Sequence, residues 1–117
     1  MRVLLVDDDQ NFRRSLRIAL ETHDCDIAEA SEGLEAIKTL EKEDFNAVIL
    51  DARMPGLDGF WLADQIRLEK PEIRIIMLSA HNYPNGHSEH TMLTKPVKIK
   101  TLLHKLKNGH GKENTAA

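Results

Sequence analysis

Cysteine is almost absent from this chain: Cys25 is the only one. A single thiol excludes a disulfide framework and a cysteine-built zinc site, and it suits a reducing cytosol. Its simplest role is that of a small residue ahead of a strand. A basic excess is also missing. Sixteen Lys and Arg stand against 19 Asp and Glu, for a net charge of −3. Composition therefore gives no pull toward nucleic acid. No apolar run approaches the ~20 residues of a membrane-crossing helix. The opening Met-Arg-Val-Leu-Leu-Val runs at once into three aspartates, which is too short for a signal peptide's apolar core. Internal repeats are absent. The expectation is a cytoplasmic protein with no membrane segment and no direct nucleic-acid contact.

What is present is an ordinary globular balance. Of 117 residues, 41% are apolar and 30% charged, enough for one domain with one real core. Residues 2–6 form a short apolar run of the kind that is buried on both faces of a parallel sheet. Asp9 is placed to cap a helix in which Phe12, Leu16, Ala19 and Leu20 make one apolar stripe. A weaker strand is expected at 26–30. Ser31 is read as the cap of a second helix with Ala36, Ile37 and Leu40 inward. Residues 47–50 form a third apolar run that stops at Asp51. Residues 51–59, with Pro55, Gly56 and Gly59, read as a loop. A third helix is expected from about 58 to 70, with Leu62, Ala63 and Ile66 on one face and Pro71 after it. The clearest strand is 73–78, and 91–93 suits a short fifth. Lys95-Pro96 is read as the start of a last helix carrying Ile99, Leu102, Leu103 and Leu106. Residues 1–108 form the expected domain, and 109–117 the expected disordered tail.

Strands alternating with helices imply a parallel sheet with right-handed crossovers. Such sheets bind ligands at the carboxyl ends of their strands. Asp7 and Asp8 stand there after the first strand, Asp51 after the third, Ser79 after the fourth and Lys95 after the fifth. Three crowded carboxylates repel, and a hard cation such as Mg²⁺ relieves that repulsion through oxygen ligands and water. A carboxylate can also act as a nucleophile and form an acyl phosphate. Phosphoryl transfer needs positioning and charge neutralisation more than covalent help. Lys95, a hydroxyl from Ser79 and backbone N–H groups after Asp51 can supply both.

In sequence order, Val-Asp-Asp-Asp at 6–9, Leu-Asp-Ala-Arg-Met-Pro-Gly-Leu-Asp-Gly at 50–59, Leu-Ser-Ala at 78–80 and Thr-Lys-Pro-Val at 94–97 resemble the four motifs of response-regulator receiver domains. The resemblance covers nearly the whole chain. It implies a flavodoxin-like, doubly wound five-stranded parallel sheet in the order 2-1-3-4-5 with helices on both faces. It also implies roles. Asp51 is the phosphoacceptor. Asp7, Asp8 and Asp51 hold Mg²⁺ (or Mn²⁺) with the backbone carbonyl of Arg53. Ser79 and Lys95 contact the phosphoryl group. The donor is a phosphohistidine on a sensor histidine kinase or a histidine phosphotransfer protein. Such a domain catalyses only its own phosphorylation and dephosphorylation. The side chains of Arg53 and His81 are implied to border the path of the attacking water and so to tune phosphoryl lifetime.

Two departures from the family pattern stand out. Only residues 80–94 separate Ser79 from Lys95, where the family holds a fourth helix. With Pro84 and Gly86 in the middle, that helix is expected to be shortened or absent. The eleven residues 80–90 can still span ~36 Å when extended, more than the ~20 Å of a six-residue strand. The apolar strand face left bare leaves a homodimer open. At the switch position, where many receivers carry an aromatic, this chain has Met92, which cannot reproduce a tyrosine's hydrogen bond. Output is therefore expected through another surface, or by passing the phosphoryl group on. The main alternative is a degenerate receiver acting as a phosphorylation-independent interaction module. A phosphatase with an aspartate nucleophile is disfavoured. Its acid/base carboxylate belongs two residues after the nucleophile, and Arg53 stands there and cannot accept a proton.

Remaining features have modest readings. His81, His87 and His90 could bind a transition metal, though a polar loop rich in histidine is the simpler account. Trp61 lies off its helix's apolar face, either as a partner contact or packed on a neighbouring helix. Lys98, Lys100, Lys105 and Lys107 form a basic, solvated face.

Overall fold

The computed structural model describes residues 1–80 and 90–108. Five parallel strands make the main sheet: β1 (Arg2–Val6), β2 (Asp26–Ala30), β3 (Ala47–Asp51), β6 (Arg74–Ser79) and β7 (Thr91–Thr94). Their spatial order is β2-β1-β3-β6-β7, the doubly wound order 2-1-3-4-5 counted over these five. Register is continuous across the centre, with Val3 beside Ala47 and Ala47 beside Arg74. Every residue of β3 is buried, as a central strand covered on both faces must be.

Among the described residues four helices cover the sheet: α1 (Gln10–Glu21), α2 (Gly33–Lys42), α3 (Gly59–Glu69) and α4 (Ile99–Lys107). On one face Leu16 and Leu20 of α1 and Leu102 and Leu106 of α4 pack on Val3, Leu5, Ile49 and Ile76. Ala36 and Leu40 of α2 and Leu62, Ala63 and Ile66 of α3 pack on Leu4, Val48, Leu50 and Met77 from the other. Alternate residues of each strand thus serve opposite cores. Cys25 is buried just ahead of β2. Among the described residues no helix lies between β6 and β7, in keeping with a fourth crossover helix that is shortened or absent. Among the described residues no helix is long and apolar enough to cross a membrane.

Three local expectations need correction. Ser31 does not cap α2. Glu32, in extended conformation, stands at that position without a side-chain bond, and the Glu35 carboxylate instead accepts from the Ser31 amide at 2.7 Å and hydroxyl at 3.0 Å. A carboxylate one turn ahead outcompetes the backbone for that hydroxyl. The stretch 51–59 is not a plain loop. Within it β4 (Arg53–Met54) and β5 (Leu57–Asp58) pair as a small antiparallel ribbon, turned by Pro55 and by Gly56 at φ 75°, where a side chain would strain the backbone. The last helix begins at Ile99, not at Lys95-Pro96. The Lys95 amide is spent on the Ser79 carbonyl at 2.7 Å, which extends the sheet past β7 before the chain turns.

Candidate functional site

The carboxyl ends of β1 and β3 bring three acids together. One oxygen each from Asp7, Asp8 and Asp51 lies within 4.8 Å of the others. Asp7 is 1% exposed and Asp51 9%, while Asp8 faces solvent. Asp7 is held on both oxygens. Oδ1 accepts from the Asp9 amide at 2.9 Å, and Oδ2 accepts from the Lys95 ammonium at 2.9 Å. The same ammonium lies 3.8 Å from Asp51 Oδ2. Asp51 Oδ1 accepts from the Arg53 amide at 3.3 Å.

Burial pushes the Asp51 carboxyl above its ordinary range, and the Asp7 charge adds to that. The Arg53 amide and Lys95 pull the other way without cancelling it. Three carboxylates against one ammonium leave two negative charges, which one divalent cation would balance. Hard oxygen donors with one solvent-facing member suit a small cation that keeps part of its water shell. On donor chemistry and charge, these residues fit Mg²⁺.

The other expected site residues divide. Ser79 ends β6, is 2% exposed and pairs in register with Thr94, which sets it at the same strand edge as Lys95. Arg53 is exposed at the start of the ribbon, next to Ala52. Met92 is opposite Met77 and half-buried against the α2/α3 core. It thus packs as an apolar filler. His81 and His87 lie outside the described residues, as does the tail 109–117. His90 is within 2.8 Å of an Asp64 oxygen on α3. Trp61 is 48% exposed and borders an α2/α3 groove with Ile37, Leu40 and Ile66, so it is both partly packed and partly presented.

Five residues support the site in ways that local sequence does not reveal. Arg13 donates to the Asp7 carbonyl at 2.6 Å and to Glu29 at 2.9 Å, which clamps the end of β1. Glu29 also takes Arg17 at 2.8 Å, and these guanidinium bonds, Arg17's first, hold its carboxyl below the usual range. Phe12 places its ring centroid 4.2 Å from the Lys95 ammonium. Gly59 lies against the backbone that presents Asp51. A Cβ there would come 2.4 Å from the Asp51 carbonyl oxygen and 2.6 Å from that of Ala52.

Residues 3–107 match the family model for the response regulator receiver domain. The chain belongs to that family. This receiver is 37% identical over 110 residues to the two-component response regulator ARR10 of Arabidopsis thaliana, covering 87% of this chain and 20% of that protein. It is 33% identical to the response regulator protein TrrA of Thermotoga maritima in complex with Mg²⁺-BeF, with TM-score 0.81 and coverage of 92% of this chain and 96% of that one. TrrA in complex with the histidine kinase ThkA matches at the same identity and coverage, with TM-score 0.83. The chain spans 20% of ARR10 and 36% of the response regulator MprA of Mycobacterium leprae. It thus corresponds to one part of those longer proteins.

Proposed function

We propose that this receiver, residues 1–108, takes a phosphoryl group onto Asp51 from a phosphohistidine of a sensor histidine kinase or a histidine phosphotransfer protein, and relays it as a signal. The observation that carries the reading is the pairing of one largely buried carboxylate with an ammonium 3.8 Å away beside two further acids. A carboxylate oxygen of Asp51 attacks phosphorus. The bond from phosphorus to the donor's imidazole nitrogen breaks with its electron pair left on nitrogen, and an acyl phosphate forms on Asp51. Asp7, Asp8, Asp51 and the Arg53 carbonyl would hold Mg²⁺, which supplies positive charge to the phosphoryl oxygens. Lys95 contributes a second positive charge and Ser79 a hydroxyl donor. Arg53 borders the approach of water to the acyl phosphate.

The kinase partner follows from likeness to TrrA, which has been solved with one, and a cytoplasmic setting follows from that partner. Met92, packed as filler in place of a hydrogen-bonding aromatic, favours a second reading, an interaction module that does not switch on phosphorylation. Intact mass after incubation with Mg²⁺ and phosphoramidate separates the two. A gain of one phosphoryl mass that needs Mg²⁺ and vanishes in Asp51→Asn is the expected result. No gain here, alongside a working control receiver, would bring the interaction module forward.

A further inference from the structure

We infer that Phe12 is the positioning residue of Lys95, holding its ammonium over the phosphoryl site through the face of the aromatic ring. The inference rests on the reading that Asp51 accepts the phosphoryl group and Lys95 faces it. Four contacts close a circuit. The Asp9 amide donates to Asp7 Oδ1 at 2.9 Å, and the Phe12 amide donates to Asp9 Oδ1 at 3.1 Å. The Phe12 ring takes the Lys95 ammonium at 4.2 Å, and that ammonium returns to Asp7 Oδ2 at 2.9 Å. The Asp9 cap therefore fixes the backbone under the ring, and the α1/α4 core packs against it. A ring so anchored has little freedom to leave the cation.

The chemistry explains why a ring suits this place. The ammonium lies between two carboxylates, 2.9 Å from Asp7 and 3.8 Å from Asp51. A third anion at its back would hold it away from Asp51, and water would loosen it. An aromatic face attracts a cation through its quadrupole without a fixed hydrogen-bond direction. The ammonium can then swing from Asp7 toward phosphoryl oxygens on Asp51 while staying on the ring. An aliphatic side chain of similar bulk would fill the space and leave the cation unattended on that side.

The test replaces Phe12 with 4-fluoro-, 3,5-difluoro- and pentafluorophenylalanine, which drain the quadrupole while nearly keeping the shape. With Mg²⁺ and phosphoramidate, the phosphorus–nitrogen bond breaks, ammonia leaves with the pair, and the acyl phosphate on Asp51 is followed by mass. The rate should fall stepwise across the series, by roughly 3- to 30-fold in all. In a Lys95→Met background the series should be flat, which a purely structural role for the ring would not produce. In the Mg²⁺-loaded protein the Lys95 ε-methylene protons should show an upfield ring-current shift that disappears in Phe12→Leu. Rates indifferent to fluorination, or the same slope without Lys95, would overturn the inference. Absence of phosphoryl uptake by the unsubstituted protein would instead sink the functional reading beneath it, recognisably, because the ring-current shift would persist.

Discussion

Replacing Gly59 by alanine sets helix propensity against packing at the phosphoacceptor backbone. Gly59 is the first residue of α3, and its amide donates to the Ala52 carbonyl at 3.0 Å. On propensity alone, alanine should stabilise the helix by up to ~1 kcal/mol. The space contradicts this. The new Cβ would stand 2.4 Å from the Asp51 carbonyl oxygen, 2.6 Å from the Ala52 oxygen and 2.8 Å from the Ala52 carbonyl carbon, where ordinary contact begins at 3.4 Å. The difference of 1.0 Å must be found by moving backbone, because all three atoms are main chain.

Overpacking costs about 1–3 kcal/mol, and three main-chain contacts that cannot rotate away place it near the upper end, so after a gain of up to ~1 kcal/mol a net loss of ~2 kcal/mol is expected. At roughly 4–8 °C per kcal/mol for a domain of this size, the thermal midpoint should fall by several degrees or more. The same displacement moves Asp51 and the Arg53 amide that donates to it, so Mg²⁺ affinity should fall as well. Differential scanning calorimetry and a Mg²⁺ titration followed by amide shifts measure both quantities. A midpoint equal to or above wild type, with Mg²⁺ affinity intact, would refute the claim that this backbone is packed to contact.

Asp51→Asn should reverse its effect on stability when Mg²⁺ is added. Burial and Asp7 raise the Asp51 carboxyl in the folded state, so the folded form holds that proton more tightly than the unfolded chain. Stability from this group is then fully present below the ordinary carboxylate range and is lost as pH rises through the raised value. Without divalent ions, urea melts should show Asp51→Asn gaining on wild type as pH rises toward 7. The gain should be on the order of 1 kcal/mol even if water screens the lost repulsion fully. At Mg²⁺ a hundredfold above its dissociation constant, wild type recovers about 2.7 kcal/mol that the variant lacks; a gap insensitive to Mg²⁺ would count against the metal site. Arg13→Ala should cost about 1–2 kcal/mol by removing charged donors from the Asp7 carbonyl and Glu29, and Mg²⁺ affinity should drop roughly tenfold. Arg13→Lys should not restore both bonds, since an ammonium lacks the fork. Calorimetric melts and Mg²⁺ titrations of the pair decide it.

Legibility in the sequence followed the range of the interactions involved. The five strands, the helical stripes and the Asp9 cap were visible because each depends on neighbours within a turn or on alternation along a strand. Asp7, Asp8, Asp51, Ser79 and Lys95 could be grouped because each follows an apolar run and parallel strands end at one edge. The start of the last helix was misread because Lys95-Pro96 has the composition of a helix start, while its amide is taken by Ser79 on another strand. Ser31 differs, because its competitor is local: its hydroxyl goes to Glu35, one turn on, instead of to the helix amides. Phe12 looked like one more apolar stripe residue, and nothing local said that its outer face would meet an ammonium 83 positions later.

By itself, then, the sequence determined the alternation of strands and helices and the residue types gathered at the strand ends, both of which rest on periodicity and short-range chemistry. Only the tertiary structure decided how those groups stand to one another. It set Lys95 between Asp7 and Asp51 with a ring behind it, Arg13 against the end of β1, and Gly59 hard against the Asp51 backbone. Those relations join segments far apart in the chain. They come from closing the sheet and packing both faces, which no window of sequence contains.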